Sequence, residues 1–447
     1  MNRRSKTGGT PSGRPLRVLH LGYTDDRGGA ANAARRAHQA MLSQGLDSRF
    51  VVVGKCRDDP TVIELPRRPI RRRLADRMSR ISKHLYRSGN PIIRTMNVMP
   101  MGTARFLNAM EADVIQLHWI AANTISIGEL LQLNKPVVWM LHDIWPFAGA
   151  EHYINPGDPE RFREGYSREN RLDHETGLDL DRWVWRYKLW RWRQARFSII
   201  GPSRWIADCA QESVLFRDFA IRRIPYPLDL DLYRPRSKEA ARAALGLPQG
   251  KRLIMFGALY ATRDRRKGFQ HLKAALDHLP SHLDPANTAF VILGADGPSG
   301  ESVAGFDLHY LGMIHDEERI VDAYNAVDVM VLPTEADNLP NVIMEATCCG
   351  VPCAGFAVGG MPDMIDHLET GYLATPFDPV ELAAGIAWVA ERSTPAFCQE
   401  VRARAEAKHA QRTVVGQYVD FYNEVLDRQA AASSPIGAGP PTESRAA

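Results

Sequence analysis

The feature that most constrains the fold is a series of short apolar segments separated by helical segments, which ends near residue 203 and starts again near residue 252. Each apolar segment lacks the alternation of a half-exposed strand, as expected where both faces of a parallel sheet are buried. In the first half we predict strands at 16–24, 48–54, 112–120, 135–143 and 197–203. In the second half we predict strands at 252–259, 290–295, 308–313, 329–334 and 352–358. Strands that alternate with helices predict the α/β class, with a doubly wound, Rossmann-like sheet in each half.

Two domains are expected from this pattern, and 447 residues also exceed what one compact domain usually holds. A stretch with three prolines, 224–235, lies between the halves and is typical of a linker. The predicted boundaries are a disordered segment 1–14, an N-terminal Rossmann-like domain 15–225, a linker 226–235, a C-terminal Rossmann-like domain 236–412, a helix 413–428 that crosses back to the N-terminal domain, and a disordered tail 429–447. Ligands of doubly wound sheets bind outside the carboxyl ends of the strands, so we expect the active site in the interdomain cleft.

Composition and charge exclude several functions. The formal net charge of +4 gives no reason to expect nucleic acid as a partner. The six cysteines lack the paired spacing of a secreted disulfide framework, and no apolar run is long enough to cross a bilayer. We therefore expect a cytoplasmic protein. Cys348, Cys349 and Cys353 could be metal ligands, but no second Cys or His pair lies nearby, so buried thiols are the preferred interpretation.

Gly28 and Gly29 separate the first predicted strand from a helix. Glycines there let backbone N–H groups approach an anion closely, at a helix N-terminus that favours negative charge. A phosphate would suit this turn. The three spaced glycines of a dinucleotide-binding turn are absent, so the pair could equally serve only the chain topology.

A second candidate site lies after the strand 329–334. A polar loop carries Asp337 and Asn338, and a helix that begins near Asn341 carries Glu345, eight residues beyond the first acid. One carboxylate on a loop and one on a helix can face the same cleft at different depths. This arrangement suits an elongated polyol, whose hydroxyl groups would donate hydrogen bonds to both acids.

These residues resemble the large family of retaining GT-B glycosyltransferases, which is marked by an acid, seven residues and a Glu, followed by Ala, Cys-Gly and Pro. The chain has Asp337, Glu345, Ala346, Cys349-Gly350 and Pro352 at the corresponding positions. It also resembles the branch found in capsule, exopolysaccharide and colanic-acid biosynthesis. The segments that carry this second resemblance are 28–31, 117–119, 141–145 and 202–205.

The resemblance implies a nucleoside diphosphate-sugar donor held mainly by the C-terminal domain. Glu345 would bind the ribose hydroxyls, and Asp337 would lie near the hydroxyls of the transferred sugar. Lys267 matches the family's basic residue that grips the diphosphate as charge develops on the leaving group. His142 stands where the family's histidine contacts the donor sugar. The other donor-binding candidates are Gly28, Gly29, Asn338 and Asn341.

The chain departs from the family pattern at two positions. The first acid is Asp337 where Glu is commoner, which shortens its reach to the sugar by one methylene. The Arg usually found directly after the glycine of the first C-domain strand is missing, because Ala258 follows Gly257. Arg263 or Arg265, on the longer loop that follows, could replace it.

Two Asp-x-Asp segments, 179–181 and 229–231, match the metal-binding signature of glycosyltransferases with the other major fold. Neither follows a clear core strand, and the second lies in the linker. Coincidence is the preferred interpretation, and we expect neither a metal nor another cofactor.

A basic amphipathic helix is predicted between residues 67 and 87, which include nine Lys or Arg residues and one acid. Its apolar residues at helical spacing are Ile70, Leu74, Met78, Ile81 and Leu85. Such a helix can lie on an anionic inner leaflet and bring the enzyme to a lipid-linked acceptor. It can equally pack on its own domain with a solvated basic face.

A segment with four tryptophans and several basic residues, 182–193, is the other unusual stretch. On a nucleic-acid-binding protein the tryptophans would stack with bases. The aromatic residues fall on two adjacent helical faces, however, so core packing or an interfacial membrane belt explains them at least as well. We expect no nucleic-acid partner.

The sequence therefore predicts a hexosyltransferase that moves a sugar, with retention, onto a glycan or lipid-linked glycan in surface polysaccharide biosynthesis. The family's retention is discussed as same-face attack, in which the leaving phosphate helps to deprotonate the acceptor. Two alternatives remain on the same fold, a nucleotide-sugar epimerase and a catalytically idle sugar-binding protein.

Overall fold

The computed structural model describes residues 14–26, 28–88, 92–257, 264–298 and 300–433. Within these residues each half of the chain contains a seven-stranded sheet. In spatial order the N-terminal sheet consists of β3 (Val62–Glu64), β2 (Asp47–Gly54), β1 (Arg17–Thr24), β5 (Val114–Leu117), β6 (Val137–Met140), β8 (Phe197–Gly201) and β9 (Ala220–Arg223). The C-terminal sheet consists of β12 (Ser302–Val303), β13 (Phe306–Gly312), β11 (Thr288–Leu293), β10 (Arg252–Gly257), β14 (Val329–Leu332), β15 (Cys353–Phe356) and β16 (Gly371–Ala374). A small antiparallel pair joins β4 (Tyr86–Ser88) to β7 (Glu175–Gly177).

Helices cover both sheets and connect their strands. In the N-terminal half they are α1 (Gly29–Ser43), α2 (Pro69–Leu85), α3 (Thr103–Asn108), α4 (Arg161–Glu164), α5 (Leu180–Arg191) and α6 (Arg204–Glu212). In the C-terminal half they are α7 (Lys238–Leu245), α8 (Phe269–Leu276), α9 (Glu317–Asn325), α10 (Asn341–Cys348), α11 (Met361–Met364), α12 (Pro379–Arg392), α13 (Pro395–His409) and α14 (Gln411–Ser433).

The sheets confirm the α/β class and all ten predicted strands. Neighbouring strands are parallel in both sheets, except for the short hairpin of β12 and β13. The central strands β5, β6, β8 and β14 are buried at every residue, which explains their unalternating apolar sequences. Four of the strands missed by the sequence, β3, β9, β12 and β16, lie at the edges of the two large sheets, and each of them contains partly exposed residues.

The C-terminal helix contacts strands of the N-terminal domain. The Tyr422 hydroxyl on α14 donates to Gln116 on β5, and Arg222 on β9 pairs with Glu424 at 2.8 Å. The helix runs from Gln411 to Ser433, so it continues five residues into the segment predicted as a disordered tail. Favourable helix formers such as Gln429 and the alanines 430–432 extend it.

The predicted disordered N-terminal segment also ends earlier than residue 14. The Arg14 guanidinium pairs with Asp113, with hydrogen bonds that include one of 2.8 Å. This contact fixes the chain immediately before β1. The remaining residues of both predicted disordered segments, 1–13 and 434–447, lie outside the described residues.

Candidate active site in the interdomain cleft

The carboxyl ends of strands from both sheets face one another across the cleft. On the N-terminal side, the turn after β1 meets the start of α10. Gly28 has a φ of 119°, a conformation that favours glycine, and the next residue begins α1. The Asn341 side-chain amide donates to the Gly29 carbonyl at 2.9 Å. Three of the predicted donor-binding residues therefore lie together, although they come from different domains.

The acidic loop after β14 packs closely against two glycines from neighbouring segments. Gly268 has a φ of 80°, and a Cβ there would collide with the Pro333 carbonyl oxygen. A Cβ at Gly360 would collide with the Asn338 carbonyl oxygen. The Arg266 carbonyl also accepts a hydrogen bond from the Thr334 hydroxyl at 2.7 Å. This close backbone packing brings the turn at Lys267 against the loop that carries Asp337.

Lys267 and Asp337 form an ion pair, with the ammonium donating to the carboxylate. Both side chains are partly open to solvent, at 21% and 17% exposure. An ammonium group has three N–H donors, so two remain for a ligand after the bond to Asp337. The predicted cation and the predicted sugar-binding acid are thus adjacent at the mouth of the cleft.

Asn338, a predicted donor-binding residue, bridges the two domains. Its side-chain amide donates to the Leu141 carbonyl at 2.9 Å, and its oxygen accepts from the Ser203 hydroxyl at 2.6 Å. The side chain is buried, and both of its polar atoms have protein partners. In this arrangement Asn338 orients the two domains.

Glu345 lies deeper in the cleft and is held by two groups. One oxygen lies 2.7 Å from the Arg36 guanidinium of α1, and the other accepts from the Tyr324 hydroxyl at 2.6 Å. Arg36 also donates to the Tyr233 hydroxyl at 2.8 Å. Burial lowers the pKa of the Arg36 guanidinium, but the Glu345 carboxylate outweighs this effect and raises the pKa. A carboxylate offers about four lone-pair positions, so Glu345 can still accept hydrogen bonds from a ligand.

Sequence reasoning missed Arg36. It is the second residue of an Arg-Arg pair in the alanine-rich helix that follows the glycine turn, and this charged pair was the available signal. The other member, Arg35, is also buried and pairs with Glu317 of the C-terminal domain. The middle of α1 therefore carries two buried arginines that pair with acids of the C-terminal domain.

His142 belongs to a chain of buried imidazoles. Its Nε2 lies 3.1 Å from His118 Nδ1, and its Nδ1 lies 2.9 Å from the Tyr226 hydroxyl. The second ring nitrogen of His118 lies 2.9 Å from His20. Burial lowers the pKa of His142 to about 4 and the pKa values of His118 and His20 well below 6.5, so the rings are neutral. Both ring nitrogens of His142 are engaged by protein groups.

The basic loop after β10 is only partly described. Arg263 lies outside the described residues. The Arg265 side chain is 81% exposed, and its Nε lies 3.7 Å from Glu335. The neighbouring Arg266 places its guanidinium 3.9 Å from the centre of the ring of Tyr153, a residue of the N-terminal domain.

The two Asp-Leu-Asp segments have contacts that explain them without a ligand. Asp179 accepts a hydrogen bond from the Arg182 backbone at the start of α5, and Asp181 pairs with Arg94 at 3.1 Å. Asp229 accepts from the Asp231 backbone at 3.0 Å, which forms a tight turn. The thiols of Cys348, Cys349 and Cys353 are buried, as predicted.

Comparison with solved structures identifies the fold. The chain is similar to sucrose-phosphate synthase from Thermosynechococcus elongatus, with a TM-score of 0.65, 18% identity, and coverage of 94% of this chain and 100% of that chain. It is also similar to HepE from Anabaena in complex with UDP and glucose, with a TM-score of 0.57, 15% identity, and coverage of 93% and 100%. The two facing parallel-sheet domains are therefore a GT-B fold, as the resemblance implied.

Residues 250–392 match the family described as "Glycosyl transferases group 1". A D-inositol 3-phosphate glycosyltransferase of Saccharomonospora viridis is 31% identical over 228 residues, which cover 46% of this chain and 51% of that protein. A protein with the same description from Mycolicibacterium smegmatis is 30% identical over 198 residues, or 41% and 42% of the two chains. The chain thus spans about half the length of the curated relatives it matches. These matches support the group 1 glycosyltransferase family, whereas the capsule and exopolysaccharide branch stays a prediction.

Proposed function

We propose that this protein is a glycosyltransferase that moves a sugar from a nucleoside diphosphate-sugar to a glycan or lipid-linked acceptor. The observation that carries the proposal is the adjacency of Lys267 and Asp337 at the mouth of the cleft, above the buried Glu345. A cation there can stabilise the diphosphate as the glycosidic bond breaks, and the two acids can bind hydroxyls of the sugar and the ribose.

The donor is a UDP-sugar in this proposal, because the structurally similar HepE is described in complex with UDP and with UDP-glucose. The amide groups of the Gly28-Gly29 turn and the cation Lys267 would share the diphosphate charge. Transfer would proceed with retention by same-face attack, in which the leaving phosphate helps to accept the proton of the acceptor hydroxyl. The role in surface polysaccharide synthesis belongs to the same proposal.

A peripheral contact with an anionic membrane is part of the proposed function. The helix predicted between residues 67 and 87 is α2, and its apolar side chains are exposed rather than packed on the domain. Their exposed fractions are 73% for Ile70, 49% for Leu74, 38% for Met78, 50% for Ile81 and 55% for Leu85. Leu178, which donates a backbone hydrogen bond to Leu85, is exposed as well. Apolar side chains flanked by arginines match the interface of an anionic leaflet. None of the helices in the described part of the chain is long and apolar enough to span a bilayer.

The test combines binding and turnover. UDP-, GDP- and ADP-sugars are screened by thermal shift, and the best donor is then assayed for release of nucleoside diphosphate with and without an acceptor. Candidate acceptors are a lipid-linked glycan extract and D-inositol 3-phosphate, the compound named in the relatives' descriptions. Release that depends on the acceptor supports transfer. An epimerised product supports the epimerase alternative, and donor binding without turnover supports an idle sugar-binding protein.

A further inference from the structure

A cavity of about 270 Å³ lies at the N-terminal end of α2, away from the donor-site residues. Its walls include the apolar side chains of Val53, Leu65 and Phe106, and three arginines, Arg67, Arg68 and Arg72, line it as well. The described residues that line it include neither an aspartate nor a glutamate. A water molecule takes up about 30 Å³ in the liquid, so the cavity can hold a phosphate group with several attached carbon atoms.

The cavity is on the acceptor side of the cleft. Val53 lies at the carboxyl end of β2, the edge of the N-terminal sheet that faces the other domain. Arg72 donates to the Tyr23 hydroxyl at 3.0 Å, and the Tyr23 ring packs edge-on against Trp119 at 5.8 Å. Trp119 in turn donates to Asp143, the residue after His142, at 2.9 Å. A series of direct contacts therefore connects the cavity to the cleft.

The cation best placed for a ligand is Arg68. Its guanidinium forms neither a hydrogen bond nor an ion pair with any residue that the structure describes, whereas Arg67 pairs with Glu64 at 3.5 Å and Arg71 donates to the Pro100 carbonyl at 3.0 Å. Arg68 also occupies the N-cap position of the 17-residue helix α2, where its side chain makes no capping hydrogen bond and where the helix N-terminus favours a negative charge. A guanidinium presents paired N–H donors that match a phosphate group.

We propose that this cavity binds the acceptor, and that the acceptor carries a phosphate ester held by Arg68 and Arg72 with an apolar group against Val53, Leu65 and Phe106. This inference rests on the proposed function, since it names the class of acceptor for the same transfer. The phosphate could belong to a lipid-linked glycan or to a soluble sugar phosphate. The exposed apolar face of α2, which begins at the cavity, favours the lipid-linked source.

The test measures binding of octyl phosphate, octanol and glucose 6-phosphate by calorimetry, with UDP titrated as a separate reporter of the donor site. The variants are Arg68→Gln alone, Arg68→Gln with Arg72→Gln, and a control with Arg77→Gln and Arg80→Gln. The control removes the same charge from exposed positions of α2 outside the cavity. We expect the cavity double variant to weaken octyl phosphate binding about tenfold or more, and Arg68→Gln to cause part of this loss. The control should change the affinity by less than about twofold, and UDP binding should remain in every variant.

Octanol binding as tight as that of octyl phosphate, or equal losses in the cavity variant and the control, would overturn the phosphate assignment. Arginine-dependent binding of glucose 6-phosphate but not of octyl phosphate would support a soluble phosphorylated acceptor. If UDP does not bind while octyl phosphate binding depends on Arg68, the donor proposal fails and the cavity assignment stands.

Discussion

The two domains have the same architecture but bury different groups. The interior of the N-terminal domain contains the imidazole chain of His20, His118 and His142 and a fully buried lysine, Lys188, which donates to the carbonyls of Ala148 and Gly149. In the C-terminal domain, the charged groups of the site stand at strand ends and on α10, where they face the cleft. The N-terminal domain therefore keeps these polar groups in its interior, whereas the C-terminal domain places its charged pair of Lys267 and Asp337 where solvent still reaches both side chains.

If the C-terminal motif carries the chemistry, its cation should have the largest effect on turnover. Lys267→Met should lower kcat by about 10²- to 10³-fold, because the developing charge on the diphosphate loses its cation. The matched control is Lys273→Met, on an exposed position of α8 in the same domain. Steady-state kinetics with the best donor measure both. Equal kcat values for the two variants would show that the catalytic cation lies elsewhere.

Acidification should destabilise the N-terminal domain more than the C-terminal domain, because burial lowers the pKa of four of its described histidines (His20, His38, His118 and His142) but of one, His409, in the described part of the C-terminal domain. Burial lowers the pKa values of His38 and His142 to about 4, whereas an unfolded histidine has a pKa near 6.5. The unfolded chain therefore binds protons that the folded chain does not. These histidines leave the free energy of unfolding unchanged above pH 6.5 and lower it as the pH falls towards 4. Each imidazole lowers the free energy of unfolding by about 3 kcal/mol across this pH window. Calorimetric melts between pH 7.5 and 4.5 measure the loss.

A single substitution separates this effect from general acid denaturation. His38→Gln keeps a donor and an acceptor near its partners, the Ser48 and Thr61 hydroxyls at 2.7 and 2.8 Å, but does not titrate in this range. The variant should lose less stability between pH 6.5 and 4.5 than the unmodified protein. An unchanged pH dependence would mean that other groups dominate.

The two acids of the motif should affect different steps. Glu345→Gln should weaken UDP binding by about 1.5–3 kcal/mol, since a neutral amide replaces a charged acceptor of ribose hydrogen bonds. Asp337→Asn should leave UDP affinity nearly unchanged and lower turnover, because its contact to the sugar matters most as the bond breaks. Calorimetry and kinetics together test this division.

Arg36 supplies the control for Glu345, because Arg36→Met breaks the same interdomain ion pair without altering the carboxylate. We expect a smaller loss of UDP affinity from Arg36→Met than from Glu345→Gln. Equal losses would mean that Glu345 acts by holding the domains together. Full turnover in Asp337→Asn would remove that acid from the sugar site.

The sequence predicted the features that have a local pattern better than the contacts between distant residues. Most of the ten core strands were predictable because they are buried apolar runs, and the resemblance to GT-B glycosyltransferases implied that Lys267 and Asp337 act on one donor. Arg36 and Glu345 are more than 300 positions apart, so no local pattern indicates their contact. The imidazole chain joins residues from separate strands and the linker, and periodicity says nothing about such contacts. For α2, the apolar spacing is the same whether the apolar side chains pack on the domain or face outwards, and only the structure distinguishes the two.

The membrane contact of the N-terminal domain is the prediction with the smallest expected effect. Replacing Leu74 and Ile81 by Ser should weaken sedimentation with phosphatidylglycerol vesicles about tenfold, because each apolar side chain contributes on the order of 1 kcal/mol at the interface. Both side chains are about half exposed, so the fold should tolerate the change. The matched control places the same substitutions at Leu368 and Val380, which are also exposed but belong to the C-terminal domain.

Binding to the vesicles should weaken as salt rises, and it should be lower with neutral phosphatidylcholine vesicles, since the flanking arginines act by charge. If Arg73→Ser, Arg77→Ser and Arg80→Ser together leave sedimentation unchanged, or if the control variant loses as much binding as the α2 variant, α2 is not the membrane contact and the two domains do not differ in this property.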